Sequence, residues 1–537
     1  MRRLSVGVYL SRCRGEVGDV LDLDALASGM EGRASVVRVV DDLFDPATQE
    51  RITKDIRDGE LDAVVIAGHS LDHYNRSLSG RLFQERILSA GINPSRAVYM
   101  SLIEQVVKPH ADDPAGAQEK ARVLLDVAML RATMLEPLPA QAMVPRQSVL
   151  IFGATIEGLV AAQRLLQLGF KVVLADRGDA GARLRDSDEL RATLAYVSGH
   201  PEAEFVNDAS ISDASGWVGD YEVELTTPVG INTFRVGGLL LAEPDDVSWV
   251  QELRLHFRMD VDDEGHARSI NPSSHPAETV EPGLMVVPVY SDEEPVTRDK
   301  VAAADSAAMA LSLRLSQPET IHYKQTSSVD ESLCGACASC VKTCAFGACY
   351  IDDDGVSHVD PRRCRACGKC VVSCPVGARD IIVSPHQFVV DAIETLSKAD
   401  VQGKKVLGIV CGGCGNPAMN SAAEVGPGAY PASLLPFWIP CSGRLDTLHV
   451  LEAFSVGFDG VAVFRCREGH CHNLIGNLDM DRRINLLRTV LRSRGIDDKR
   501  LRIVDVSPTE GERFAAAVCE FYEALESITN GKAEVVA

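Results

Sequence analysis

A chain of 537 residues with 46 % apolar side chains is long enough for three or four domains, each able to bury a core. Its formal charge of −22, from 54 basic and 76 acidic side chains, argues against nucleic acid or an anionic membrane as a partner, since either needs clustered Lys and Arg. No apolar run approaches the roughly 18 residues of a membrane span and Val6 to Leu10 is too short for a signal peptide, so a soluble cytoplasmic protein is expected, in which sixteen cysteines point to metal or redox chemistry over disulfides.

Residues 1–140 alternate apolar runs (Ser5 to Leu10, Ala63 to Ala67, Ala97 to Met100) with helical patterns, which predicts a small doubly wound α/β unit. Asp113 and Pro114 supply a cap and an N1 proline for its closing helix, with Ala121, Leu124, Leu125 and Ala128 as the apolar stripe. The proline-punctuated stretch from Glu136 to Pro145 reads as a linker.

Residues 147–326 are expected to form a degenerate Rossmann, flavoprotein-like domain. A strand, Val149 to Phe152, runs into Gly153-Ala-Thr-Ile-Glu-Gly158, then a helix to Leu168 and a second strand from Lys171 to Ala175 that ends in Asp176. This is a βαβ dinucleotide-binding outline with its acidic residue about twenty positions on. Gly153, Gly158 and Asp176 are the candidate FAD-binding residues. Two substitutions oppose binding. Thr155 fills the space that the middle glycine leaves for a pyrophosphate, and Glu157 puts a carboxylate where the helix dipole would meet phosphate. FAD is therefore expected to be absent, and bound FAD is the alternative. Apolar runs follow at Gly237 to Ala242 and Gly283 to Val289, with a turn-rich charged stretch around 260–292 and an alanine-rich helix from Val301 to Leu315.

Residues 327–385 carry the strongest signal. Cys334, Cys337, Cys340 and Cys344 form one C-x2-C-x2-C-x3-C run, and after nineteen residues Cys364, Cys367, Cys370 and Cys374 form another. That spacing predicts a double [4Fe-4S] ferredoxin-like module with crossed ligation: Cys334, Cys337, Cys340 and Cys374 on one cluster, Cys364, Cys367, Cys370 and Cys344 on the other. Zinc ribbons set two cysteine pairs far apart and do not need a doubled quartet. Ala345 follows the first run where Pro375 follows the second. The doubled run is the one internal repeat.

A connecting helix, His386 to Lys398, precedes an α/β domain expected over 405–537. Three strands there deliver Cys411, Cys441 and Cys466 at their carboxyl ends, where ligands of parallel sheets bind, and Cys414 and Cys471 follow in the loops. Four of these five suffice for a [2Fe-2S] cluster, and zinc also fits. His470 and His472 flank Cys471 and read as neighbours of the ligands. Ile484, Leu487 and Leu491 mark a helix that stops near Gly495. Cys349 and Cys519 lie outside the sets and read as small buried hydrophobes.

Together these features resemble the A-type subunit of heterodisulfide reductase, and the tail resembles the delta subunit of methyl-viologen-reducing hydrogenase. The tail carries Cys411-Gly-Gly-Cys414, Cys441-Ser-Gly-Arg444 and Cys466-Arg-Glu-Gly-His-Cys471-His472, then Gly476-Asn477 and Arg482-Arg483. That resemblance implies a [2Fe-2S] cluster. Upstream, Asp113-Pro114 and Leu135-Glu-Pro-Leu138 match the N-terminal domain, yet Ser11, His69 and Val106 stand where the family has cysteine and only Cys13 remains. The inserted portion of the flavin domain is missing. Gly237 to Ala242 and Gly283 to Tyr290 stand where the family's other nucleotide-contacting turns lie, without their polar signature, and Asp292, Glu293 and Glu294 would repel a pyrophosphate.

The expected function is an electron-transfer subunit of a multi-subunit, oxygen-sensitive redox complex, relaying electrons through two [4Fe-4S] clusters and one [2Fe-2S] cluster, without a substrate site of its own. The resemblance implies a hydrogenase or dehydrogenase partner at the [2Fe-2S] end and a heterodisulfide-reductase-like or other reductase beyond the ferredoxin-like module. The alternatives are an FAD-dependent, bifurcating oxidoreductase and a zinc-bound scaffold.

Overall fold

β1 (Val6–Ser11), β2 (Val36–Val40), β3 (Ala63–Gly68) and β4 (Ala97–Ser101) form a parallel sheet in the order β2-β1-β3-β4. β1 and β3 are buried at every position, as central strands covered on both faces must be, which explains their continuous apolar runs. The Asp113 carboxylate accepts the Gly116 backbone N–H at 3.0 Å and caps the helix Pro114–Met134. The computed structural model from which these features are taken describes residues 4–179, 191–268, 275–287 and 297–528.

The second unit is built on β6 (Ser148–Phe152), β7 (Lys171–Ala175), β8 (Ala203–Val206), β12 (Gly238–Leu241) and β15 (Leu284–Val286), a parallel sheet in the order β15-β12-β6-β7-β8. Helices Ile156–Gln167 and Thr297–Leu315 cover one face through Leu159, Ala162, Ala307 and Leu311. The other face packs against an antiparallel meander, β9 (Ser210–Trp217), β10 (Asp220–Thr227) and β11 (Gly230–Val236), and against Trp249 of the helix Val247–His256. The meander has clear alternation along β10, with Tyr221, Val223 and Leu225 buried between half-buried polar residues. In the turn-rich stretch β13 (Asp260–Val261) pairs with β14 (Ala267–Arg268). Positions 288–290 of the second nucleotide-turn candidate, and Asp292, Glu293 and Glu294, lie outside the described residues.

The stretch expected to be a linker contains a strand. β5 (Ala140–Met143) pairs antiparallel with β16 (Thr320–Tyr323), because Pro139 and Pro145 bracket a short segment that needs ladder bonds on one side only.

The ferredoxin-like module has two small antiparallel pairs: β17 (Ser327–Val329) with β20 (Arg379–Ile381), and β18 (Cys349–Ile351) with β19 (Ser357–Val359). Beyond it, β21 (Val406–Cys411), β22 (Leu434–Ile439), β23 (Gly460–Cys466) and β24 (Leu501–Val506) form a parallel sheet ordered β22-β21-β23-β24. This is the strand order of the first sheet. One continuous apolar core joins the two units, running from Leu125 and Met129 through Phe388 and Ile393 of the helix His386–Ser397 to Leu407 and Phe437. Among the described residues no helix is long and apolar enough to cross a membrane.

Candidate metal centres

In the C-terminal sheet β21 and β23 end in Cys411 and Cys466, whose sulfurs lie 3.8 Å apart. Cys441 follows β22, and Cys414 and Cys471 come from the loops, so all five sulfurs belong to buried residues at one carboxyl edge. Glycine makes the crowding possible: a Cβ on Gly476 would lie 2.4 Å from Cys441 Sγ and 3.5 Å from Cys471 Sγ. Backbone N–H groups point at the sulfurs, Gly415 at Cys411 and Gly443 at Cys441, each at 3.4 Å. Five buried thiols with amide donors aimed at them fit a thiolate-held iron–sulfur centre, because the donors stabilise the anionic sulfur that iron requires. Crowding already splits their acidity: sulfur hydrogen bonds from Cys441 and Cys466 pull Cys471 down, while the same contact with Cys471 pushes Cys441 up.

His472 approaches the sulfurs, with Nδ1 3.6 Å from Cys466 Sγ, while Nε2 is hydrogen-bonded to Asp260 of β13. Cys414, Cys466 and His472 offer donor atoms all within 4.8 Å of one another. A carboxylate that fixes the far ring nitrogen is the arrangement that orients an imidazole toward a metal. His470 turns away toward Asp263, 3.6 Å distant. Cys519 is half-buried and bonded to the Ala429 carbonyl.

The two ferredoxin-type runs wrap in the same way. Ala336 and Ala338 in the first, and Ala366 and Gly368 in the second, have positive φ between +47° and +79°. Cys344 of the first run lies close enough to Cys364, Cys367 and Cys370 of the second to act on them electrostatically. The Ala348 and Ala378 amides point at Cys344 and Cys374 at 3.3 and 3.2 Å. Arg379 is buried, with Nη2 3.5 Å from Cys340 Sγ and two further guanidinium nitrogens, Nε and Nη1, lacking hydrogen-bond partners. A buried cation with spare donors beside a sulfur edge fits an anionic thiolate-held cluster.

Cys349, read from the sequence as a small buried hydrophobe, is buried in an apolar cluster. It sits on β18 between Cys344 and Cys370, hydrogen-bonded to both sulfurs, which push its thiol up. Gly347-Ala-Cys349 and Gly377-Ala-Arg379 are equivalent stretches, with Cys349 and Arg379 each five residues beyond the last cysteine of its run.

The nucleotide-type turn has other occupants. The Thr155 hydroxyl accepts the Gly158 N–H at 3.2 Å and caps the helix. Asp176, the candidate ribose ligand, is buried and accepts the Ala154 and Gly178 amides at 2.7 and 2.9 Å. Glu157 lies 3.6 Å from Lys300. A Cβ on Gly153 would meet Glu243 Cβ at 2.8 Å, so the glycine faces a side chain where a phosphate would approach. Gly153, Gly158 and Asp176 are brought together, and the Thr155 hydroxyl and the Asp176 carboxylate bond to backbone amides of the turn.

A family model described as methyl-viologen-reducing hydrogenase, delta subunit, matches residues 406–529, and a 4Fe-4S binding domain matches 358–380. The chain is 30 % identical over 236 residues to the A-type subunit of the ferredoxin/F(420)H(2)-dependent CoB-CoM heterodisulfide reductase of Methanosarcina acetivorans, covering 41 % of this chain and 29 % of that protein. Against the corresponding subunit of the H(2):CoB-CoM heterodisulfide,ferredoxin reductase of Methanothermobacter thermautotrophicus it is 29 % identical over 240 residues, 42 % of this chain and 36 % of that one. The iron-sulfur subunit of the F420-non-reducing hydrogenase vhc of Methanococcus voltae is 33 % identical over 124 residues, 23 % of this chain and 85 % of that protein. The chain spans about a third of the length of the heterodisulfide reductase subunits it matches.

Proposed function

We propose that this chain, which belongs to the hydrogenase delta-subunit family through its C-terminal domain and is an iron–sulfur protein of heterodisulfide reductase A type, is the electron-relay subunit of a heterodisulfide-reductase-like complex. In this reading Cys334, Cys337, Cys340 and Cys374 hold one [4Fe-4S] cluster, and Cys364, Cys367, Cys370 and Cys344 hold the other. Four of Cys411, Cys414, Cys441, Cys466 and Cys471 hold a [2Fe-2S] cluster. Each such group, when bound, takes up and releases one electron. The domains are 1–140, 147–326, 327–385 and 405–537. Partners are a hydrogenase or dehydrogenase at the C-terminal site and a reductase at the first cysteine run. The second domain serves as a packed platform.

The observation that carries this reading is the seam between the second cysteine run and the five-cysteine edge. Cys367 packs against the core that contains Cys411, Cys441 and Cys466. Lys369, 1 % exposed, reaches Asp479 at 2.6 Å on the helix Gly476–Ser493. Arg444, buried to the same degree, donates to the Ser384 carbonyl at 3.1 Å. A Cβ on Gly368 would lie 2.4 Å from Arg444 Cδ, and one on Gly443 2.8 Å from Lys369 Cγ. Two buried cations thus stand between two thiolate sets, where they offset negative charge and exclude water. Arg362 and Arg363 clamp the same run to Asp220 and Asp213 of the meander, at 2.7 and 2.8 Å.

Anaerobic purification followed by iron, sulfide, zinc and flavin quantification tests the reading. About ten iron atoms per chain (4 + 4 + 2) are expected, with no acid-released flavin. Stoichiometric zinc with little iron would replace the relay by a zinc scaffold, and one flavin per chain would move the flavoenzyme reading to first place.

A further inference from the structure

The loop from Cys466 to His472, which brings Cys471 to the five-thiol edge, is clasped from outside its own domain. Arg254, in the last turn of the helix Val247–His256, donates to the Gly469 carbonyl at 3.0 Å, and Asp260 of β13 is bonded to Nε2 of His472. The same stretch reaches the second ferredoxin-type run. Arg258 donates to the Arg365 carbonyl, and Arg365 returns two bonds to the His256 carbonyl at 3.0 and 2.8 Å. Residues 254–260 of the second unit therefore touch both thiolate sets.

His472 is held at both ends of its ring. The side chain is 9 % exposed. Nδ1 lies 3.6 Å from Cys466 Sγ, and Cys414 also bonds to the ring. Gly413 leaves the space that the ring occupies, because a Cβ there would lie 2.5 Å from Nδ1. Asn477 fixes the start of the loop by donating to the Cys466 and Arg467 carbonyls at 3.1 and 2.9 Å. His470 is a contrast within the same loop, since it faces Asp263 of the β13–β14 hairpin at 3.6 Å.

An ordinary buried ion pair accounts for the contact with Asp260. It does not account for the other nitrogen, which is set against the sulfur edge over a position that carries no side chain. Ligation is not required of the ring, because five thiols already exceed the four places of a [2Fe-2S] centre. An imidazole that bonds to a carboxylate through one nitrogen and to a thiolate through the other carries a hydrogen on each. Such a donor at a ligand sulfur favours the reduced, more negative state of a cluster and raises its reduction potential. Arg254 lies close enough to Asp260 and Cys471 to act on both, so the carboxylate charge is offset from the same stretch that supplies it. Resting on the cluster assignment above, we propose that His472 donates an Nδ1 hydrogen bond to the Cys466 sulfur and raises the potential of the C-terminal centre, with Asp260 as its positioning residue. The second unit thereby reaches into the electron carrier of another domain, through one carboxylate and without a nucleotide.

The test uses the full chain, reconstituted anaerobically with isotopically labelled histidine nitrogen, and reads the C-terminal centre by electron-paramagnetic-resonance redox titration and pulsed resonance. His472→Ala is expected to lower the potential of the [2Fe-2S] signal and to remove a weak histidine-nitrogen coupling from it, with iron content and both [4Fe-4S] potentials unchanged. His472→Asn, which can place an amide N–H near the position of Nδ1, is expected to restore part of the potential. Asp260→Ala should lose the coupling and Asp260→Glu should regain it, whereas Asp263→Asn, on the same hairpin, should change neither reading. An unchanged potential in His472→Ala, an equal change in Asp263→Asn, or a loss of about two irons in His472→Ala, which would make the ring a ligand, overturns the proposal. A wild-type chain without a [2Fe-2S] signal overturns the cluster assignment itself, and the proposal with it, before any variant is compared.

Discussion

Cys337 of the first ferredoxin-type run is exposed, whereas its counterpart Cys367 packs against the C-terminal core. The contrast extends along both loops: Gly335 and Ala336 are exposed, while Arg365 and Ala366 are buried. Equal spacing thus marks the ligand chemistry of both runs, and neighbouring domains decide what each run faces. The second run looks inward toward the five-thiol edge. The first looks outward, with Gly335, Ala336 and Cys337 exposed.

The largest effect should come from removing ligands. Crossed assignment requires that Cys344→Ala and Cys364→Ala each remove the same four irons, about four of the ten. The double variant should then lose no more iron than either single one. Independent, uncrossed runs would lose about eight, and anaerobic iron analysis separates the two cases.

Next in size is the buried cation that exists in only one of the runs. Lys369, immediately before Cys370, is paired with Asp479 at 2.6 Å, whereas Ser339 occupies the equivalent place before Cys340. Lys369→Ala leaves the Asp479 carboxylate partly buried without that partner and should cost about 3–5 kcal/mol. Ser339→Ala should stay within roughly 0.5 kcal/mol. Denaturant unfolding of the two variants measures the difference, and equal effects would mean that the seam contributes nothing to stability.

How much of this was legible in the sequence depended on range. The cysteine runs, the strands that deliver Cys411, Cys441 and Cys466, and the cap at Asp113 are local patterns, and each is visible in a few residues. The seam was not visible, because Gly368 against Arg444 and Lys369 against Asp479 are contacts across some 75 to 110 positions of chain. Nor was the continuous core that joins Met129, Ile393 and Leu407, since apolar periodicity says which face is buried and not against what. The β9–β11 meander was missed for a nearer reason: it lies between motif-bearing segments and carries no chemistry to draw attention. The turn around Thr155 was read from the bulk of Thr155 and the charge of Glu157. Its physical content is richer, because the threonine hydroxyl is the helix cap and Asp176 serves the backbone.

A third prediction exchanges the glycine of one run with the alanine of the other. Gly368 has φ +79° and its absent Cβ would collide with Arg444, while Ala338 has φ +58° in a loop whose Gly335, Ala336 and Cys337 are exposed. Gly368→Ala should therefore cost about 1–3 kcal/mol from overpacking, to which the left-handed backbone adds roughly 1–2 kcal/mol. Ala338→Gly should be neutral or slightly stabilising, because glycine adopts that conformation freely. Melting temperatures of the anaerobic proteins compare the two, and a matching loss in both would show that the loops are constrained by their own geometry and not by the neighbouring domain.

The smallest expected effect is electrostatic and leaves the structure alone. Arg379 and Cys349 are equivalent positions in the two halves, so the buried guanidinium near Cys340 has a neutral thiol as its counterpart near Cys344 and Cys370. A cation close to a cluster favours the reduced, more negative form and raises its reduction potential. With an effective dielectric of about 20, a unit charge about 8 Å away is worth roughly 2 kcal/mol, which for one electron is on the order of 100 mV. Arg379→Gln should lower the potential of the cluster assigned to Cys334, Cys337, Cys340 and Cys374 by up to that amount, and Arg379→Lys should restore most of it. The cluster assigned to the second run should move less, since Arg379 also acts on Cys370 but makes its direct sulfur contact with Cys340. An electron-paramagnetic-resonance redox titration resolves the two centres. Equal shifts in both would place the charge symmetrically between them and remove the electrostatic half of the asymmetry, leaving burial alone to distinguish the outer run from the inner one.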